Sequence, residues 1–201
     1  MRKMLLIGLL VCTVNNLFAQ NSTAVQKAKA YQQQLNKEFA DPKTSPLSEE
    51  ALASFDGLPF FTIDSSLIFN AEFLRTPYES PFVMKTTTDR ESMYVKYGEV
   101  YFTIDGVEYT LNVYQSQELV TDPAYADYLF VPFTDATNGK TSYGGGRYLD
   151  LHIPKGEIIL LDFNRTYNPY CAYNAKYSCP IPPAENHLEI PIKAGVKYEK
   201  H

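Results

Sequence analysis

The stretch VYFTIDGVEYTLNVY, Val100 to Tyr114, decides how this chain is read. At its centre Asp105-Gly106 is a pair that tolerates positive φ at both middle positions of a tight turn, the geometry whose twist matches two antiparallel strands. With a two-residue loop, Val100 faces Leu111, Phe102 faces Tyr109 and Ile104 faces Val107, and all six side chains fall on one face. Turn chemistry and apolar alternation agree, and together they predict a β-hairpin.

On both sides of this hairpin, from Ile63 onward, the chain consists of short runs of β-branched and aromatic residues. Further strands are predicted at Leu67 to Leu74, Phe82 to Lys85, Tyr128 to Phe133 and Leu188 to Ile192. A second hairpin is predicted around Pro154-Lys155-Gly156, with a left-handed glycine closing the turn and Ile153 opposite Glu157. Its register sets Leu149 against Leu161 and Leu151 against Ile159 as a core face. Tyr148, Asp150, His152, Asp162 and Asn164 fall on the reverse. Strands and helices do not alternate, so the predicted class is mainly β with N-terminal helices: an antiparallel β-sandwich or barrel-like domain.

Two helices precede the strands. Ala24, Ala28, Tyr31, Leu35 and Phe39 recur at steps of three or four, and Thr23 followed by Gln26 resembles a capping box. Ser45-Pro46 reads as an N-cap with proline at the first helical position, opening a short helix through Glu49, Glu50 and Leu52 that Gly57 ends. Before them, Met1-Arg2-Lys3, an apolar run from Met4 to Val14 and Leu17-Phe18-Ala19 have the anatomy of a secretory signal peptide over residues 1–19. The run is shorter than the roughly 20 residues that span a bilayer, so no stable membrane insertion is expected after cleavage. A lipid anchor on Cys12 is the rival reading, disfavoured by Val11 where a small residue is usual. Residues 20–201 then form one domain, helical over 20–57 and β-rich over 63–201. Losing Arg2 and Lys3 leaves 16 basic against 23 acidic side chains, a formal charge of −7. Without a basic patch, nucleic acid is excluded as a partner. No oligomeric state is assigned.

Three blocks carry a resemblance: SPLSEEALASFDGLPFF (Ser45 to Phe61), LFVPFTDATNGKTSYGGGRYLDL (Leu129 to Leu151) and LLDFNRTYNPYCAYNAKYSCPIPPAENHLEIPIKAGVKY (Leu160 to Tyr198). The chain resembles the DUF1684 family along nearly all of its mature length, through two cysteines, an Asp-Phe-Asn triplet and a Pro-Pro-x-Glu-Asn run in order. The resemblance implies no reaction and assigns no residue a role.

The candidate site residues rest on chemistry. Cys171 and Cys179, an even pair in an exported chain, suit a disulfide that would stabilise the irregular loop between them by roughly 2–3 kcal/mol. Zinc held by both with His152 and His187, at a spacing that matches no usual zinc site, and two free thiols are the alternatives. Gly144-Gly145-Gly146 before Arg147 suits either an anion-binding nest or a bulge beside a structural ion pair. Asp135 and Asn138 are oxygen ligands suited to calcium, without EF-hand spacing. Asp150, Asp162 and Glu185 are the candidate acids and bases; Arg147, Tyr148, Asn164, Asn168 and Asn186 are the candidate ligand-binding groups. Two functions follow. One is an exported domain binding a small polar ligand, sugar or peptide-like, near the Cys171–Cys179 loop, with no cofactor and no metal. The other is a cofactor-independent hydrolase that uses paired carboxylates.

Overall fold

The computed structural model describes residues 23–198, so the proposed signal peptide and Cys12 lie outside the described residues. One curled antiparallel sheet forms the body, a half-barrel with the N-terminal helix packed against it. Its strands are β1 (Ile68–Arg75), β2 (Phe82–Met84), β3 (Ser92–Ile104), β4 (Val107–Ser116), β5 (Tyr128–Asp135), β6 (Arg147–His152), β7 (Ile158–Asp162) and β8 (His187–Leu188). Their order is β6-β5-β4-β3-β1-β7; β2 joins β3, and β8 pairs with β5, parallel.

The Asp105-Gly106 hairpin forms β3 and β4 in the expected register, Ile104↔Val107, Phe102↔Tyr109 and Val100↔Leu111. Both turn residues have positive φ, 51° and 78°. Val100, Phe102 and Leu111 enter the main core with Leu129, Val131, Phe133, Leu149, Leu161, Phe163 and Ile192.

The second hairpin does not form. β6 pairs with β5, from Tyr128↔His152 to Phe133↔Arg147, while β7 pairs with β1, from Ile68↔Asp162 to Glu72↔Ile158. The strands expected to face each other lie at opposite ends of the sheet order. Gly156 is not among the residues of positive φ, so the left-handed turn is missing. The groups that would have closed it are bonded elsewhere. Ile153 donates its N–H to Asp127, and Glu157 accepts from Phe73. Leu149, Leu151, Ile159 and Leu161 still point into the main core, because a period of two sets the face of a strand whatever its neighbour.

Two smaller corrections concern element ends. The short helix α2 (Glu49–Ala53) starts later than expected, capped by Ser48, whose side chain accepts from the Ala51 N–H. Ser45 instead accepts from the Leu47 N–H in a local turn. The last predicted strand shrinks to His187–Leu188.

Helix α1 (residues 23–40) buries Ala28, Leu35 and Phe39. Leu35 and Phe39 pack with Leu58 and Val196. Most of a helix's stability in a protein comes from packing its apolar face, and burying Leu35 and Phe39 contributes about 1.5–3 kcal/mol each, so docking holds it. Gln32 adds a hydrogen bond to the Asn164 carbonyl.

After β7 the chain crosses the open side of the half-barrel. Tyr167 exchanges both backbone hydrogen bonds with Tyr148, at 2.9 and 3.0 Å, along the free edge of β6. The reverse side of β5 and β6 is therefore not the solvated face of an ordinary sheet. Tyr94, Tyr114, Phe130, Tyr148, Met84 and Cys179 form a second, aromatic cluster there.

Candidate functional site

Over this second cluster lies a cleft of about 380 Å³, within the range of small-ligand sites. Strand periodicity supplies its floor: Tyr128 and Phe130 alternate out of β5, and Tyr148 and Asp150 out of β6. Tyr94 of β3 and Tyr167 beside β6 adjoin them. Helix α1 supplies one wall through Tyr31, Gln34, Leu35 and Glu38, spaced so that they share a face. Pro169, Tyr170 and the run Tyr177–Pro180 supply the other wall.

Asp150 is the charge at the centre. Its Oδ1 accepts hydrogen bonds from the Tyr128 and Tyr167 hydroxyls, each at 2.7 Å. Oδ2 has no protein donor among the described residues and is not closed off from solvent. Burial raises the Asp150 pKa above the usual carboxylate range; the two tyrosine hydrogen bonds and the charges of Arg165 and His152 oppose it. Burial likewise raises the phenols of Tyr128, Tyr148 and Tyr167, so each remains a neutral donor. Tyr148 spends its hydroxyl on the Pro180 carbonyl.

The structure separates the other expected site residues. Arg147 is fully buried on the core side of β6, 3.3 Å from Asp135, and donates to the Ile192 and Ala194 carbonyls. Ile192 N–H in turn donates to Asp135. The glycines before Arg147 form a tight turn, with Gly146 at φ 92° packed where a Cβ would meet the Phe133 carbonyl at 2.7 Å. This is a turn beside an ion pair, and Arg147 does not line the cleft. Asp162 caps the turn Phe163–Arg165 by accepting from the Asn164 N–H. Asn164 is buried and grips both backbone groups of Asp64. Asn168 is buried and donates to Tyr173 and the Lys197 carbonyl. Asn186 fills the gap where β4 and β5 diverge, accepting from Asn112 N–H and donating to the Asn112 and Pro132 carbonyls. Glu185 is exposed and does not line the cleft. Of the three candidate acids and bases only Asp150 does, so the trio is not assembled.

Cys171 and Cys179 are free thiols in the structure, and the expected clasp is not closed. The Cys171 N–H donates to Cys179 Sγ at 3.1 Å. Backbone bonds hold the segment instead: Thr87 N–H donates to the Cys179 carbonyl and Ile181 N–H to that of Lys85. Burial pushes the Cys179 thiol up to about 12, which keeps it protonated and a poor nucleophile at neutral pH. No group of three or more potential metal-ligating residues occurs among the described residues.

Sequence reasoning missed most of the aromatic lining. Its signal was present in Tyr128 and Phe130 alternating with the core residues of β5, but it needs the β5–β6 pairing, which sets Phe130 against Asp150 and Pro132 against Tyr148. Tyr31 and Leu35 were legible as a helical face and read as core.

The family model for proteins of unknown function called DUF1684 matches residues 53–197, and the chain belongs to this family. No curated protein matches it. Among solved structures it is similar to the solution NMR structure of the uncharacterized protein from gene locus rrnAC0354 of Haloarcula marismortui. The two are 32% identical over 86% of this chain and 93% of that one, with a TM-score of 0.67. The helical wall of the cleft, from Tyr31 to Glu38, precedes the family match.

Proposed function

We propose that this chain is an exported domain that binds a small polar ligand in the tyrosine-lined cleft, with Asp150 as its polar anchor. The observation that carries the reading is the uneven use of the Asp150 carboxylate. Two tyrosines hold Oδ1, while Oδ2 has no protein donor among the described residues and is open to solvent on a residue that lines the cleft. Water can serve this open oxygen in the empty cleft, and a ligand that fills a cleft of this size is positioned to replace it with a donor of its own.

Export is part of the same proposal. In an oxidising compartment, Cys171 and Cys179 would lose two protons and two electrons to a disulfide donor and close the wall that contains Cys179. The intact mass of protein purified from its native compartment tests both points. The expected product begins at Gln20 and gains two hydrogen atoms on reduction. A product retaining residues 1–19 removes the export reading, and an unchanged mass removes the disulfide.

Binding is tested by NMR of the protein spanning residues 20–201 against a panel of small sugars, dipeptides and amines. Perturbations confined to Tyr94, Tyr128, Asp150, Tyr170 and Tyr177, and lost in Asp150→Asn, are expected. Perturbations away from the cleft, or none, sink the reading.

A further inference from the structure

The composition of the cleft points to a ligand charge. Seven tyrosines, Tyr31, Tyr94, Tyr128, Tyr148, Tyr167, Tyr170 and Tyr177, line it with Phe130; its only ionisable side chains besides these and Cys179 are the carboxylates of Asp150 and Glu38. Among the described residues no Lys, Arg or His lines it. We propose that the ligand is an organic cation, an alkylated ammonium group held against the aromatic rings with Asp150 as counter-ion. This rests on the reading of the cleft as a binding site and names its ligand class.

Three observations favour a cation over a neutral sugar. First, hydroxyls on the floor are already engaged. Tyr128 and Tyr167 donate to Asp150, and Tyr148 donates to the Pro180 carbonyl. Three phenols that would otherwise recognise sugar hydroxyls are thus unavailable to them. Second, the rings form steep walls. Phe130 meets Tyr148 at 77° with centroids 4.7 Å apart, Tyr148 meets Tyr167 at 90° and 5.8 Å, and Tyr170 meets Tyr177 at 61° and 5.2 Å. These rings pack edge to face on one another, and a lining so rich in tyrosine offers an alkylated ammonium group several aromatic neighbours, the setting of cation–π recognition. Third, the nearby protein cations leave the space free. Arg165 lies 4.8 Å over the Tyr31 ring and does not line the cleft, and His152 is an exposed partner of Asp127. An anionic ligand would meet two carboxylates and no base. The mature charge of −7 adds long-range attraction for cations.

The test is an NMR titration of the protein spanning residues 20–201 with choline and tetramethylammonium, beside 3,3-dimethylbutan-1-ol, which has the shape of choline without its charge, and methyl glucoside. The cations are expected to shift the cleft resonances saturably at concentrations up to about 10 mM, with the neutral isostere about tenfold weaker or worse. Asp150→Asn should weaken choline about tenfold, and Glu38→Gln, on the exposed face of α1, about two- to threefold. Added salt should weaken choline and leave the isostere unchanged. The amide spectrum of each variant establishes that it is folded, and Glu38→Gln with the salt series decides the matter if Asp150→Asn is not. Equal binding of choline and its isostere, or shifts from the glucoside alone, would overturn the cation while leaving the binding cleft standing. If no probe moves a cleft resonance, the cation and the binding reading fall together.

Discussion

Arg147 and Asp150 stand three residues apart on one strand, on its two faces, and the protein treats their charges in opposite ways. Arg147 is enclosed by the main core, where Asp135 and the Ile192 and Ala194 carbonyls take up its guanidinium, with only Nε left unbonded. Asp150 faces the cleft with one oxygen held twice and the other open. A charge whose partners close around it holds chain segments together; a charge with one oxygen open to solvent can exchange water for a ligand's donor. What distinguishes the two cases is whether the unused valence is closed off, as at Arg147 Nε, or open to solvent, as at Asp150 Oδ2.

Breaking the enclosed charge has the largest expected effect. Arg147→Ala leaves Asp135 buried and uncompensated, and should cost about 3–5 kcal/mol in urea unfolding. A loss under about 1 kcal/mol would mean that the ion pair is not what binds β5 and β6 to the segment around Ile192 and Ala194.

Next is the support of the open charge. Tyr167→Phe removes one of two donors to Asp150 Oδ1 and should destabilise by about 1.5–3 kcal/mol with the carboxylate ionised. It should also move the Asp150 titration, followed by its carboxyl carbon shift, further upward. An unmoved titration would show that Tyr128 alone holds the carboxylate.

Asp150→Asn should act in the other sense and raise the melting temperature at neutral pH. A folded-state pKa raised by burial means that the native chain binds more protons than the unfolded one between the ordinary carboxylate value, about 4, and the raised value. Wild-type stability therefore falls as pH rises through that window and stays reduced above it. The asparagine variant should lack this slope, and its advantage should vanish below about pH 4. Identical pH profiles for the two proteins would remove the claim that Asp150 is kept at a cost.

The smallest effect is expected at Asp162, a buried carboxylate outside the cleft. Asp162→Ala removes the cap of the turn Phe163–Arg165 and should cost about 1 kcal/mol. Cleft binding should be unchanged; a weakened ligand would join Asp162 to the site.

Two turns show where local reading succeeds and where it stops. At Asp105-Gly106 the turn chemistry, the alternation and the shortest connection all favour one pairing, and β3–β4 forms in the expected register. Around Pro154-Lys155-Gly156 the alternation was equally good, but it names the face of a strand and not its neighbour. β5 and β1 took the two strands instead. The error carried into the site, because the imagined pairing gathered Asp150, Asp162 and Asn164 on one face. The real one sets Asp150 beside Phe130, leaves Asp162 as a local cap and makes Asn164 a tie to Asp64 and Gln32.

The sequence by itself determined the mainly β class, the N-terminal helix, the first hairpin, the inward set Leu149, Leu151, Ile159 and Leu161, and the family. Each depends on propensity, period or local order along the chain. Only the tertiary structure decided that Arg147 is enclosed, that Asp150 is half-free, and that seven tyrosines from distant segments share one cleft. Those outcomes depend on which strands neighbour each other and which segment crosses the open side of the half-barrel. Packing of the whole core settles both, because several local pairings bury the same apolar faces equally well.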